Sequence, residues 1–230
     1  PSHRSRFCSV AVMNPATPVA GQVDARRRDP ERTREDILRV ATAEFASEGF
    51  AGARVDQIAA ETATTKRMIY YYFGSKEGLY LQVIEAAYEM VRSLEKNLDI
   101  EGMSPVDALR QLAEFTYDHH TTHQDFIRLV QIENIHRAEH ILQSTRIRDL
   151  NTTAIDSLRS IIERGVAEGV FRTDIDPLDA HMMISSYSIF AVANRHTFGA
   201  AFGRDMLDPS KHQFYRALAG DMIVATMTRV

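Results

Sequence analysis

The chain has 230 residues, 44% hydrophobic and 25% charged, which is long enough for a substantial core and excludes a staple-dependent mini-protein. Its single cysteine, Cys8, excludes an internal disulfide, a CxxC redox pair and a multi-cysteine zinc site, and fits a reducing cytoplasm. The longest apolar run, Met68 to Phe73, is six residues against the ~20 needed to span a bilayer, so no membrane helix is expected.

The 11 Gly and 7 Pro make up only about 8% of the chain, and so few breakers favour long helices. Net charge is −4 but unevenly spread. Residues 1–79 hold 12 Lys/Arg against 10 Asp/Glu, whereas residues 80–230 hold 15 against 21. Phosphate binding, if present, therefore belongs to the first third. The first 23 residues carry Arg4, Arg6 and several serines without an acid, weakly like a transit peptide, but Pro15, Pro18 and Gly21 break any amphipathic helix there. Met13 reads as a natural start, with residues 1–12 an upstream extension.

From Glu31 the apolar residues Ile37, Leu38, Ala41, Phe45 and Phe50 recur at helical spacing, with Pro30 in a tolerated first-turn position and a stop near Gly49. Val55, Ile58, Ala59 and Ala63 form a short second set. Thr65 then caps a third helix whose Ile69 and Phe73 lie one turn apart. Ser75 caps a long fourth helix running to about Leu98, with Leu79, Val83, Met90 and Leu94 on its stripe. Beyond it, Ser104-Pro105, Asp176-Pro177 and Asp208-Pro209 write three helix starts in one grammar, a capping residue followed by proline. The remaining helices are expected at about 105–121, 125–137, 147–168, 177–200 and 209–228. No strand run is bounded by hairpin turns. The expected fold is all-α with about nine helices: a flexible tail at 1–29, a three-helix unit at 30–78, and a larger helical domain at 79–230 entered along the fourth helix.

Residues 54–73 read as a helix-turn-helix, whose second helix places its N-terminal residues in the major groove of duplex DNA. Thr65, Lys66, Arg67 and Met68 occupy its first turn, where backbone amides also favour phosphate. Tyr70, Tyr71, Tyr72 and Lys76 follow; a tyrosine hydroxyl donates to a phosphate oxygen without needing charge, and a lysine adds a point charge. The competing reading makes the tyrosines core aromatics, but Ile69 and Phe73 already fill the inward face, so at least two should reach the DNA backbone. Arg26-Arg27-Arg28 is either a flexible arm to DNA or a solvated charge run.

The stretch from Ile37 to Leu79, with "AEFASEGF", "IAAETATTK", "IYYYF" and "SKEGLY", resembles the N-terminal domain of the TetR family of bacterial transcriptional regulators. The resemblance implies a cytoplasmic DNA-binding homodimer, most simply a repressor released from its double-stranded operator by a small molecule, with no cofactor and no enzymatic activity. It makes Thr65, Lys66, Tyr70, Tyr71 and Lys76 phosphate contacts and turns Arg67 and Met68 to base edges. Two positions depart from the family pattern. Ala63 stands where a turn glycine is usual, a strained place if φ is positive, and Ala53 stands where Ser or Thr usually caps helix two. Arg67 replaces a commoner small residue, so no operator sequence carries over.

In the second domain the candidate effector contacts are polar groups that interrupt apolar stripes, His119 below Phe115, Gln131 and Asn134, and Tyr187 and Asn194 around Phe190, together with Tyr88 and with Phe115 and Phe190 themselves as apolar wall. Each could equally be a satisfied core or interface residue. His119, His120 and His123, with His136 and His140 one turn apart, offer a runner-up: an all-α metal enzyme or sensor with Glu133, Glu139 or Asp118 as base. Against it, no HExxH pattern occurs, and histidines near a helix C-terminus are favoured by the dipole alone. The last two helices are apolar around much of their circumference, with Leu178, Met182, Phe190, Phe214, Leu218 and Met222. Such helices need a partner, most economically a second copy packed as a four-helix bundle.

Overall fold

The computed structural model describes residues 30–228. The tail at 1–29, with Cys8, Met13 and Arg26 to Arg28, lies outside them. Ten α-helices follow in order: α1 Pro30–Gly52, α2 Val55–Glu61, α3 Lys66–Phe73, α4 Lys76–Lys96, α5 Pro105–Thr122, α6 Gln124–Ile135, α7 Thr145–Ala167, α8 Pro177–Ala193, α9 Arg195–Phe202 and α10 His212–Met227. Among the described residues the sole extended pairing is one bridge between Phe171 and Thr228. No helix among them is long and apolar enough to cross a membrane.

Capping chemistry sets half of the helix starts. Thr65 Oγ1 accepts from the Met68 amide at 3.2 Å, Ser75 Oγ from Gly78 at 3.1 Å, Ser104 Oγ from Asp107 at 3.2 Å, and Asp176 Oδ1 from Leu178 and Asp179 at 2.7 and 2.9 Å. Each hydroxyl or carboxylate satisfies a donor that the first turn leaves orphaned. Asp208 caps only a 3-10 turn, Pro209–Lys211, and α10 begins after it. The single helix expected at 177–200 is broken: Asn194 closes α8, its side-chain amide donating to the Phe190 carbonyl at 3.4 Å, and α9 starts at the next residue. An Asn side chain that competes for backbone partners is the physical cause.

Two cores result. Ile37, Phe45, Ile58, Ile69, Phe73, Leu79 and Tyr80 from α1 to α4 form the first, and Leu129 of α6 and Ile147 of α7 pack into it. Leu109, Leu158, Phe171, Ile184 and Ile223 centre the second, between α5, α7, α8 and α10. Its densest approach is Phe171 on α7: a Cβ on Gly165 would lie 2.0 Å from the Phe171 ring, so only glycine admits that ring.

The turn between α2 and α3 carries the strain that the sequence suggested, with Ala63 at φ +48°. An L-residue there costs ~1–2 kcal/mol, partly offset by the entropy a glycine would lose on folding. Ala63→Gly is therefore expected to stabilise the chain by about 0.5–1 kcal/mol, read as a higher midpoint in thermal or urea unfolding with an unchanged m-value; a lower midpoint would contradict this account.

Candidate functional site

Helix α3 buries Ile69 and Phe73 on one face and turns Lys66, Arg67, Met68, Tyr70 and Tyr71 outward, Tyr71 being 78% exposed. The (i, i+4) spacing of the two buried residues dictates this orientation. Tyr72 is different: it is half-buried and packs on the first core, so two of the three tyrosines face solvent. Lys66 Nζ rests 3.2 Å from Asp56 Oδ1 across the turn, an exposed pair that contributes little and is readily exchanged for a phosphate. Lys76 is half-buried, with Nζ 3.4 Å from the Ala51 carbonyl and 5.1 Å from the centroid of the Phe50 ring. Through this contact it reaches from the start of α4 to the end of α1.

Neighbouring contacts set the angle of α3. A Cβ on Gly78 would lie 2.2 Å from the Phe73 carbonyl oxygen, so α4 follows α3 at a closeness that glycine alone permits. Helix α2 lacks a side-chain cap, its N-cap being Arg54 rather than the expected Ala53. The Glu44 carboxylate of α1 replaces part of that cap by accepting the Arg54 amide at 2.8 Å. Ala53 instead joins the first core.

A cavity of about 480 Å³ lies among α4 to α8, a size suited to a small organic molecule. Tyr88 and Phe115 line it, as expected from the sequence. The other six candidates do not. His119 is buried against His123, rings stacked at 4.5 Å. Gln131 is half-buried on α6, outside the lining, and Asn134 is exposed, donating to the Val130 carbonyl. Tyr187 stacks on Tyr117 at 6.0 Å in a small cluster of its own, and Phe190 and Asn194 sit at the outer end of α8. The polar lining comes instead from Arg92, Glu95, His120, Asn151 and His181, with the hydroxyl residues Thr116, Ser185 and Ser186. Arg92 follows Tyr88 by four residues, so the helical period could have placed it on the same wall. Burial, then the neighbouring His119 and Arg92 charges, hold His120 down at about 3. Burial and then His123 bring His119 to about 4, and burial with Arg92 also lowers His181.

Comparison with known proteins matches this architecture at both ends. A model of bacterial regulatory proteins of the tetR family matches residues 37–83, and a model of the tetracyclin repressor-like C-terminal domain matches residues 105–223. The HTH-type transcriptional repressor NicS of Pseudomonas putida is 36% identical over 204 residues, 89% of this chain and 96% of that protein. The chain belongs to the TetR family of bacterial transcriptional regulators. Among solved structures, the regulator SCO4942 of Streptomyces coelicolor superposes with a TM-score of 0.66 at 28% identity, covering 86% of this chain and 99% of that one. KstR2 of Mycobacterium tuberculosis shares the fold, with a TM-score of 0.62 at 21% identity over 92% of this chain and all of the other. This TetR-family protein is a DNA-binding regulator, not an enzyme. The runner-up metal reading finds no support: among the described residues no three His, Cys, Asp or Glu side chains gather as a metal site, and the His136/His140 pair is divided because His140 is turned to Glu133.

That Glu133 contact is a feature the sequence did not announce. Glu133 is 1% exposed. Its Oε2 accepts the His140 and Ile141 amides, each at 3.1 Å, and its Oε1 faces His140 Nδ1 at 3.0 Å. The loop it holds is strained, with Arg137 and Ala138 both left-handed at φ +58° and +60°. The His140 ring lies 4.7 Å from both Phe50 and Tyr80, residues on α1 and α4. Burial, then the Glu133 charge, push the Tyr80 phenol upward. Glu133→Ala strands three donors in this regulator's interior and is expected to cost about 3 kcal/mol, while Glu133→Gln, which retains acceptors for the amides, should cost less than half of that. Equal unfolding midpoints for wild type and Glu133→Ala would contradict the assigned role.

Proposed function

We propose that this chain is a homodimeric repressor that reads an operator through α3 and releases it when a small molecule occupies the cavity among α4 to α8. In this reading residues 30–78 are the DNA-binding domain and 79–230 the effector and dimerisation domain. The observation that carries the proposal is the exposed first turn of α3, with Lys66, Arg67 and Met68 uncovered beside Tyr70 and Tyr71 above the buried pair Ile69 and Phe73. Thr65 keeps a free hydroxyl proton for a phosphate while its oxygen caps the helix. Lys66, Tyr70 and Tyr71 anchor on the backbone, Arg67 and Met68 face bases, and Lys76 and Tyr72 act chiefly by holding α3 in place. The likeness to NicS, named a transcriptional repressor, supports the sign of regulation.

Dimerisation through α8 and α10 rests on their uncovered apolar side chains: Leu178 is 64% exposed, Met182 62%, Phe214 64% and Met222 47%. A patch of this kind on a soluble domain marks a contact surface. Two copies joined there set the distance between two α3 helices, and with it the half-site spacing. Induction follows from α4, whose 21 residues make a rod of about 30 Å that abuts α3 at one end and lines the cavity at the other with Tyr88 and Arg92.

Arg67→Ala should cost roughly 1–3 kcal/mol on the preferred duplex and relax preference at one base pair, whereas Lys66→Ala should weaken all duplexes alike and lower the salt-dependence slope by about 1. Selection from a randomised duplex pool, with anisotropy titrations across salt, checks both; an unchanged preference in Arg67→Ala would remove it from base reading. Phe214→Glu is expected to yield monomer by light scattering and to lose operator binding in parallel. A Phe214→Glu variant that remains dimeric would move the interface elsewhere.

A further inference from the structure

His120 lines the cavity, and the hydrogen bonds behind it determine which of its ring nitrogens carries the proton. His120 Nδ1 lies 2.8 Å from Ser188 Oγ, and Ser188 Oγ, on a fully buried side chain, donates to the Ser185 carbonyl at 3.1 Å. A serine has a single hydroxyl proton. Both bonds form together only if that proton goes to Ser185 and the imidazole donates its Nδ1–H to the serine oxygen. The tautomer assigned by this network leaves Nε2 as a bare lone pair on a side chain that lines the cavity.

The surrounding charges restrict the ligand further. Arg92 is paired with the Glu95 carboxylate and donates to Asn151 Oδ1 at 3.0 Å. The side chains of Arg92 and Glu95 are only 11% and 14% exposed. Their formal charges cancel, and burial disfavours the charged forms of His120 and His181, which line the same cavity, so an ionic ligand would enter without a counter-charge. Around His120 the wall is apolar and aromatic: Phe126 lies 5.8 Å away, centroid to centroid, and meets Tyr88 edge-on at 5.2 Å. We propose that the cavity takes a neutral aromatic molecule bearing a hydroxyl, which donates its proton to His120 Nε2 while its ring packs against Tyr88, Phe115 and Phe126. This deepens the effector reading above and rests on it.

The test uses the full chain and three probes of one shape: 2-naphthol, 2-methoxynaphthalene, which lacks the donor, and 2-naphthoate, which is charged. Calorimetric titration is expected to give 2-naphthol an affinity at least about tenfold above either of the others, as expected where a buried acceptor would otherwise stay unpaired. His120→Leu should abolish that preference. Ser188→Ala, a smaller change that frees the imidazole to switch tautomer, should weaken it, and nitrogen NMR of the wild-type ring should find the proton on Nδ1. Absence of 2-naphthol binding, equal or tighter binding of either analogue, or a proton found on Nε2 would overturn the proposal. Operator release separates the two claims. Selective 2-naphthol binding that leaves the operator occupied supports the ligand chemistry and refutes the effector role, whereas release by a compound without a donor, with no preference for 2-naphthol, refutes the chemistry and leaves the effector role standing.

Discussion

Glu133 joins the DNA-reading helices to the rest of the chain. A carboxylate removed from water is costly unless it is fully bonded, and this one is bonded by two backbone amides and an imidazole from a single loop. The same bonds hold Arg137 and Ala138 in conformations they would not adopt alone. The loop's His140 then sits against Phe50 and Tyr80, so the first core continues without a seam from α1 through α4 into α6 and α7. The packing of α1 on α4 is thus completed by a loop that comes later in the chain than either helix.

That continuity matters for regulation because a ligand moves DNA affinity only through a difference in its own affinity for two arrangements of the protein. Helix α4 supplies one physical route, with Lys76 gripping the end of α1 and Arg92 in the cavity wall. Helix α6 supplies another, with Phe126, Ile127 and Val130 lining the cavity and Glu133 one turn further along the same helix. Both routes converge on Phe50 and Tyr80, and any coupling between two ligand sites is reciprocal.

The DNA-reading end was legible in the sequence because local rules decide it. Thr65 and Ser75 cap because their side chains reach amides three residues on, and Ile69 with Phe73 orient α3 by their spacing alone. Ala63 adopts a positive φ because the turn requires it. Tyr72 and Lys76 were less legible: the sequence puts them beside the exposed residues of α3, but whether each reaches outward depends on the core and on Phe50, which approach from other helices. The break between α8 and α9 at Asn194 was not legible, because the expected helix at 177–200 was drawn across it.

The cavity is the opposite case. Six of the eight candidates lie outside it, because periodicity identifies a face but not which other helix covers it. His120, His181, Arg92 and Asn151 come from four helices, and only their packing brings them to one space. From sequence alone followed the all-α class, the caps, the orientation of α3 and the family resemblance, all set by interactions within a few residues or by a contiguous motif. Tertiary structure decided which histidines are buried, which arginine is paired, and that a carboxylate on α6 holds the loop that packs on α1 and α4, since burial and pairing are properties of the surfaces that meet in the fold.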